Sequence, residues 1–341
     1  MCSSDLLIEV KNAFIENKLH SNVTIETKTR TIVGPSNKPD IDFFVPAFID
    51  IHCHGGGGKY VWEDFSTVEN IHHENGTTLQ FASLITMEFT ALLKTITSLV
   101  ARNEVNAIHL EGPYLSTEYC GAHEPSLLRL PSMEEIKELI AAGNGKIKMI
   151  TIAPELPNAL EVISYLKLNG VIPAIGHSAA GQQATKAAIS AGAQVVTHLN
   201  NGMKKLGAED AMSQAALNSD IYLEVIPDLQ HLDLETLKFI INKKPNRVIA
   251  ISDAMCAAGC GYGKFKIGNL PVVVTEGIAR LESNGKLAGS TLTMLDAFLN
   301  LSRNFGTEVA VKLTSSNAKA LLNQNDLDDY IAITGRKVTF F

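Results

Sequence analysis

Along the first 44 residues, apolar and polar positions alternate in short runs, LLIEV, VTIET and TIVG, broken between Pro35 and Pro39. A period of two sets one face of each run against a core, so this segment predicts small strands joined by turns, an accessory β-layer. From Val45 onward the rhythm changes to a short apolar run, a loop rich in Gly or His, and a longer stretch of helical periodicity, several times over. Eight apolar runs recur: FIDI (48–51), LQFASLI (79–85), VNAIHL (105–110), KMITIA (148–153), VIPAI (171–175), AQVVTHL (193–199), IYLEVI (221–226) and VIAIS (248–252). Helices are predicted between most of them, as after Ser132, where a capping-box Ser and Glu precede an apolar-periodic stretch, and after Pro157. This alternation predicts an α/β fold, a TIM-like (β/α)8 barrel over residues 45–324.

Past the eighth run, the alternation of GKFKIGNLPVVVTEGIARLESNGKLAGS and its turn signal Ser283-Asn284-Gly285 predict an inserted β-hairpin near 262–288. TLTMLDAFLNLSRNF and EVAVKLTSSNAKALL read as helices. The terminal IAITGRKVTFF reads as a strand that rejoins the N-terminal layer, so residues 1–44 and 325–341 form one small accessory domain.

Composition narrows the function. The 341 residues suit one barrel plus a small layer, and 45% hydrophobic with 19% charged residues is globular rather than disordered. A net charge of −7 without any basic cluster excludes nucleic acid as the expected partner. Five cysteines, odd in number and without CxxC spacing, point to no disulfide framework and to a reducing cytoplasm. The N-terminus does not read as a signal peptide, and the apolar stretches fall well short of the ~20 residues that cross a bilayer.

Metal-type side chains stand where the apolar runs end, and in a barrel those ends converge on one mouth. His52 and His54 follow FID, Glu111 follows IHL, His177 follows IPAIG, His198 follows VVT and Asp253 follows IAIS. Residues i and i+2 of a strand share a face, so His52 and His54 both point inward and Cys53 away. Imidazoles with a carboxylate suit zinc or a similar divalent ion, which lowers the pKa of a bound water to about 7. Asp253 is suited to shuttling a proton beside such a water. His20, His72 and His73 have no such context and read as solvent-facing, while His109 reads as a core residue or a support for the ligands. The run Gly55 to Gly58 lacks phosphate-loop spacing and reads as backbone room beside the metal.

The strings PAFIDIHCHGGGG, HLEGPYLS, GAHEP, IGHSAA, THLNNGM, ISDAM and LAGSTLTM occur in the order seen in N-acetylglucosamine-6-phosphate deacetylases, which the chain resembles over about residues 45–320. The resemblance implies a metal-dependent amidohydrolase that releases acetate from an amino-sugar phosphate, in amino-sugar catabolism or cell-wall recycling. It implies that Glu111, His177 and His198 hold the main divalent ion and that His52 and His54 complete a second site, one or two ions per chain. Zinc is expected first, with iron, manganese or cobalt as alternatives. Asp253 is the implied proton acceptor and donor, and His231 polarises the carbonyl. Ala122, His123, Asn201, Gly202, Leu287, Ala288 and Gly289, together with His231, are the implied sugar-phosphate contacts. A homodimer is also implied.

One departure stands out. Six residues after the Met of THLNNGM the family usually presents an Arg that grips the phosphate, sometimes across a dimer interface, where this chain has Glu209. A carboxylate repels phosphate, so Lys204 or Lys205 is the alternative anchor. The substitution leaves open another N-acetylhexosamine, an unphosphorylated sugar or another N-acyl substrate. A non-catalytic amino-sugar-binding paralogue is the reading from a different class.

Overall fold

The computed structural model describes residues 6–324 and 326–341; Cys2 and the first residue of each expected accessory segment lie outside them. Eight parallel strands, Phe48–Cys53, Thr77–Leu84, Ile108–Glu111, Ile147–Ile152, Ile172–Ile175, Val195–Val196, Tyr222–Val225 and Val248–Ala250, pair in chain order, each with the next. Each coincides with one of the eight apolar runs. Helices follow in register: Phe65–Glu74, Phe89–Val100, Met133–Gly143, Ala159–Leu168, Gln182–Ala191, Met212–Leu217, Leu234–Lys243 and Met294–Phe305. Several start on a side-chain cap, Asp64 on Thr67, Ser132 on Glu135, Asp233 on Thr236 and Thr293 on Asp296, each accepting from the backbone N–H three residues on. This is the (β/α)8 arrangement.

The ring closes through residues just past the ends of its last and first strands. Asp253 N–H donates to the carbonyl of His52 (2.9 Å), and His54 N–H and Gly55 N–H both donate to that of Ala254 (3.0 and 2.9 Å). The fully buried Asp50 adds a clamp, its Oδ1 accepting from the backbone N–H of His52 and of Ser252, each at 3.2 Å. Closure therefore runs through the segments that carry His52, His54 and Asp253.

Inside the barrel a polar belt links neighbouring strands. Ser83 Oγ accepts from Cys53 N–H (3.0 Å) and meets His109 Nδ1 (3.0 Å); His109 Nε2 meets Thr151 Oγ1 (2.9 Å), which meets Thr197 Oγ1 (2.9 Å). Burial, reinforced by neighbouring His52, pushes the pKa of His109 well below the usual histidine value, so the ring is a neutral strut.

The chain ends build a six-stranded mixed sheet in the order Lys337–Phe340, Tyr330–Thr334, Ile41–Pro46, Leu7–Ile15, Lys18–Glu26, Thr31–Pro35. The terminal IAITGRKVTFF is a hairpin rather than one strand, because Gly335 takes a positive φ of 61° and turns the chain back. The insertion is a three-stranded antiparallel sheet, Gly263–Ile267, Leu270–Thr275 and Ile278–Leu281, turning at Gly268 and Gly277. The Ser283-Asn284-Gly285 turn brings Leu287 back beside Arg280. Among the described residues no helix is long and apolar enough to cross a membrane, and Cys53, Cys120, Cys256 and Cys260 are free thiols.

Candidate active site

Five strand ends deliver His52, His54, Glu111, His177, His198 and Asp253 to one buried cluster at the C-terminal mouth of the barrel. In its first group, Glu111 Oε1 lies 3.0 Å from both His177 Nε2 and His198 Nε2, which are 3.1 Å apart. In its second, His52 Nε2 and His54 Nε2 are 3.1 Å apart, and Asp253 Oδ1 lies 3.6 and 3.4 Å from them. Glu111 joins the two groups, its Oε2 lying 3.2 Å from His54 Nε2.

The hydrogen count decides what these groups can hold. His177 Nδ1 meets the carbonyl of Tyr119 (2.8 Å), His198 Nδ1 that of Asn201 (3.2 Å) and His54 Nδ1 that of Ser83 (3.0 Å), while His52 Nδ1 meets the carboxylate of Glu224 (3.1 Å). Carbonyls and carboxylates only accept, so each Nδ1 carries a hydrogen and each Nε2 is the nitrogen left to take up a proton or a metal ion. These nitrogens and the carboxylate oxygens of Glu111 and Asp253 face each other at 3.0–3.6 Å, so protons on the rings or a metal ion between them must balance the carboxylate charge. Imidazole nitrogens with a carboxylate are a zinc-type donor set, and spacings near 3 Å match ligand bonds of about 2 Å. The residues fit a divalent ion.

Electrostatics agree. Burial works against charge on every ring, yet Glu111 raises His177 above its ordinary value, Glu111 and Glu224 raise His52 well above it, and Asp253 with Glu111 lifts His54 to about 9. Burial alone would raise Glu111, and the surrounding histidines hold it well below the usual carboxylate range. The cluster attracts positive charge strongly.

Three of its side chains sit on unusual backbone: His177, His198 and Asp253 have φ of 46°, 25° and 47°. Non-glycine residues rarely adopt this region, and such strain gathers at functional sites. Gly121 and Gly202 make room for one of them, since a Cβ on either would meet the His177 ring at 2.9 or 2.8 Å.

A cavity of about 400 Å3 opens above the cluster, within the range of small-molecule sites. Ala122, His123, Asn201, Gly202, His231, Leu287 and Gly289 line it. Ala288 does not: its side chain packs into the apolar core of the inserted sheet. His123 reaches deeper than a sugar contact needs. Its Nδ1 accepts from Thr86 N–H (3.2 Å), so its Nε2–H donates to Glu111 Oε2 (3.2 Å), and burial depresses its pKa to about 4. His231 Nδ1–H donates to Asp228 Oδ2 (2.7 Å), which fixes the ring and leaves its other nitrogen free.

Some expectations change. His72 is fully buried, not solvent-facing, because its helix turns Phe65, Val68 and His72 inward together, and its Nε2 lies 3.0 Å from the carbonyl of Gly55 and 3.2 Å from Cys53 Sγ. His20 is half-buried, and His73 is exposed with its ring stacked on Phe340. The glycine run makes room for protein rather than metal, since a Cβ at Gly55 would strike the carbonyl of Lys59 at 2.5 Å and the backbone of Cys256 at 2.9 Å. Glu224 and Asp228 escape the sequence reading although both hold site histidines. A carboxylate amid the apolar run IYLEVI was the available signal for Glu224.

No family model matches the chain. Against curated relatives it is 35% identical over 292 residues to the N-acetylglucosamine-6-phosphate deacetylase of Lysinibacillus sphaericus, covering 81% of this chain and 75% of the relative. The chain belongs to the N-acetylglucosamine-6-phosphate deacetylase family. It is also 34% identical to an N-acetylgalactosamine-6-phosphate deacetylase of Escherichia coli O157:H7, covering 77% of this chain and 73% of that one. Among solved structures, a Mycobacterium smegmatis N-acetyl-D-glucosamine-6-phosphate deacetylase, an Asp-to-Ala variant in complex with N-acetyl-D-glucosamine-6-phosphate, superposes with a TM-score of 0.88 at 30% identity, covering 99% of this chain and 97% of that one. The deacetylase family thus shares both the barrel and the sheet of chain ends.

Proposed function

We propose that the protein hydrolyses the acetamide of N-acetylglucosamine 6-phosphate to acetate and glucosamine 6-phosphate. One observation carries the reading. Asp253 Oδ1 lies beside His52 and His54, which Glu111 joins to His177 and His198, at the floor of a pocket that opens to solvent. Glu111, His177 and His198 would hold one divalent ion, zinc by the chemistry of the donors, and His52 and His54 a second. Such an ion polarises a carbonyl and brings the pKa of water near 7.

The chain's own groups do the rest. Asp253 accepts the proton of the attacking water and returns it to the sugar nitrogen as the C–N bond breaks. Its carboxyl is suited to that role. Burial would raise its pKa, but the hydrogen bond with His54 and the charges of His52 and His198 hold it below the usual range, so the carboxylate stands ionised. His231, its Nδ1–H held by Asp228, would polarise the carbonyl in its doubly protonated form, with Nε2–H donating to the oxygen where charge develops. Glu224 and the carbonyls of Ser83, Tyr119 and Asn201 keep each ring aimed. Ala122, Asn201, Gly202, Leu287 and Gly289 border the sugar. The same reading places the enzyme in the cytoplasm as a homodimer serving amino-sugar catabolism or cell-wall recycling.

The galactosamine epimer is the second reading, favoured by the 34% identity to a deacetylase of that name. Acetate release from both N-acetylhexosamine 6-phosphates and from free N-acetylglucosamine, with zinc-loaded protein, separates the readings. Turnover of N-acetylglucosamine 6-phosphate above its epimer, lost in Asp253→Asn, is expected. Faster turnover of the epimer reassigns the substrate, and binding without turnover makes the chain a sugar-binding paralogue.

A further inference from the structure

We propose that Lys205 and Lys286, facing the pocket from two different loops, together form the anchor for the substrate's phosphate. The proposal rests on the reading that the substrate is a sugar phosphate, and it answers the problem posed by Glu209. Within one chain Glu209 is exposed and does not line the pocket, and neither does Lys204. Lys205 and Lys286 do.

Lys205 is built into its place. Its Nζ donates to the carbonyl of Asn200 at 2.8 Å, which tethers the ammonium at the pocket wall and leaves two hydrogens for a ligand. The side chain stays exposed, and what burial it has lowers its pKa. Among the described residues no carboxylate lies within 4.0 Å of either ammonium. Each ammonium therefore stands at the pocket wall without a counter-ion, open to an anion. Lys286 directly precedes Leu287, which also lines the cavity, and its charge acts on Cys120 in the loop that carries Gly121 and Ala122. The two lysines thus reach one mouth from two different loops, which lets both meet a multiply charged terminal group. As point charges they recognise phosphate without the planar fork of an arginine. Glu118 lines the same mouth, so the informative quantity is the contrast between phosphorylated and unphosphorylated ligand rather than overall affinity.

The test compares kcat/KM for N-acetylglucosamine 6-phosphate with that for N-acetylglucosamine in Lys205→Ala, Lys286→Ala, the double variant, Lys205→Arg and the control Lys204→Ala. Calorimetry of glucosamine 6-phosphate against glucosamine runs alongside on the same metal-loaded proteins. The ratio of the two kcat/KM values is expected to fall about tenfold to a hundredfold in each alanine variant and further in the double, with partial rescue by Arg and no change in the control. An unchanged ratio in the double variant overturns the anchor, as does an equal loss on both sugars. If the wild type deacetylates neither sugar, the proposed function fails. The calorimetric preference for the phosphorylated amine, and its loss in the double variant, then still decides the anchor.

Discussion

The sheet of chain ends and the mouth of the barrel are both made from short strands, yet they resolve their polar groups in opposite ways. In the sheet, apolar side chains from alternate positions, Ile8, Val10, Val23 and Ile25, meet the aromatic stack of Phe44 on Tyr330 (ring centroids 5.0 Å), and the strands pair regularly in register. At the mouth, four imidazole Nε2 atoms and two carboxylates converge, and three of the residues sit on left-handed backbone. The first region gains by burial and asks for no ligand. The second gathers ionisable groups that the closed barrel holds together and whose carboxylate charge bound protons or a metal ion must balance.

The comparison breaks first at Asp253. Asp253→Asn should lower kcat by a hundredfold or more, the usual worth of a general base, while the melting temperature of the metal-loaded protein stays within a few degrees of wild type. Phe44→Ala should do the reverse. It removes a fully buried ring and should cost about 3–5 kcal/mol in denaturant unfolding while leaving kcat of the still-folded protein unchanged. Loss of kcat in Phe44→Ala would show that the two regions are coupled.

Finer effects sharpen the contrast. Gly202→Ala places a Cβ 2.8 Å from His177 Nδ1 at a residue with φ of 57°, and should cost about 1–3 kcal/mol together with much of the zinc held by Glu111, His177 and His198, read by elemental analysis. Glu224→Gln takes the charge from the group that aims His52 and should weaken zinc binding at the His52 and His54 pair about tenfold to a hundredfold by competition with a chromophoric chelator. The smallest effect is graded with pH. Below about 9 the His54 ring of the metal-free protein carries a proton that zinc must displace, so affinity at that pair should rise with pH and level off above about 9. An affinity flat between pH 6 and 9 would remove His54 from the ligand set.

Much of this was legible before the fold. The eight apolar runs became the eight barrel strands because a strand covered on both faces must be apolar along its whole length, and the metal-type residues stood out because each interrupts such a run at its end. What escaped the reading was non-local or hidden by context. His72 lies in a polar-looking stretch, and only the spacing Phe65, Val68, His72 shows that it shares the inner helix face. Glu224 sits within an apolar run and acquires its purpose from His52, 172 residues away. Barrel closure through Asp50, Ser252 and Ala254 joins segments some 200 residues apart, which periodicity does not encode. The three-stranded insertion and the terminal hairpin differ from expectation at single glycine turns, Gly268, Gly277 and Gly335.

The most direct test of the central claim is calorimetric titration of chelator-treated protein with zinc in two buffers of different ionisation enthalpy, beside Glu111→Gln. The account predicts at least one tightly bound ion per chain with proton release, and a sharp loss of affinity in the variant, because Glu111 touches both groups. Binding of no ion, or equal binding by wild type and Glu111→Gln, would contradict it.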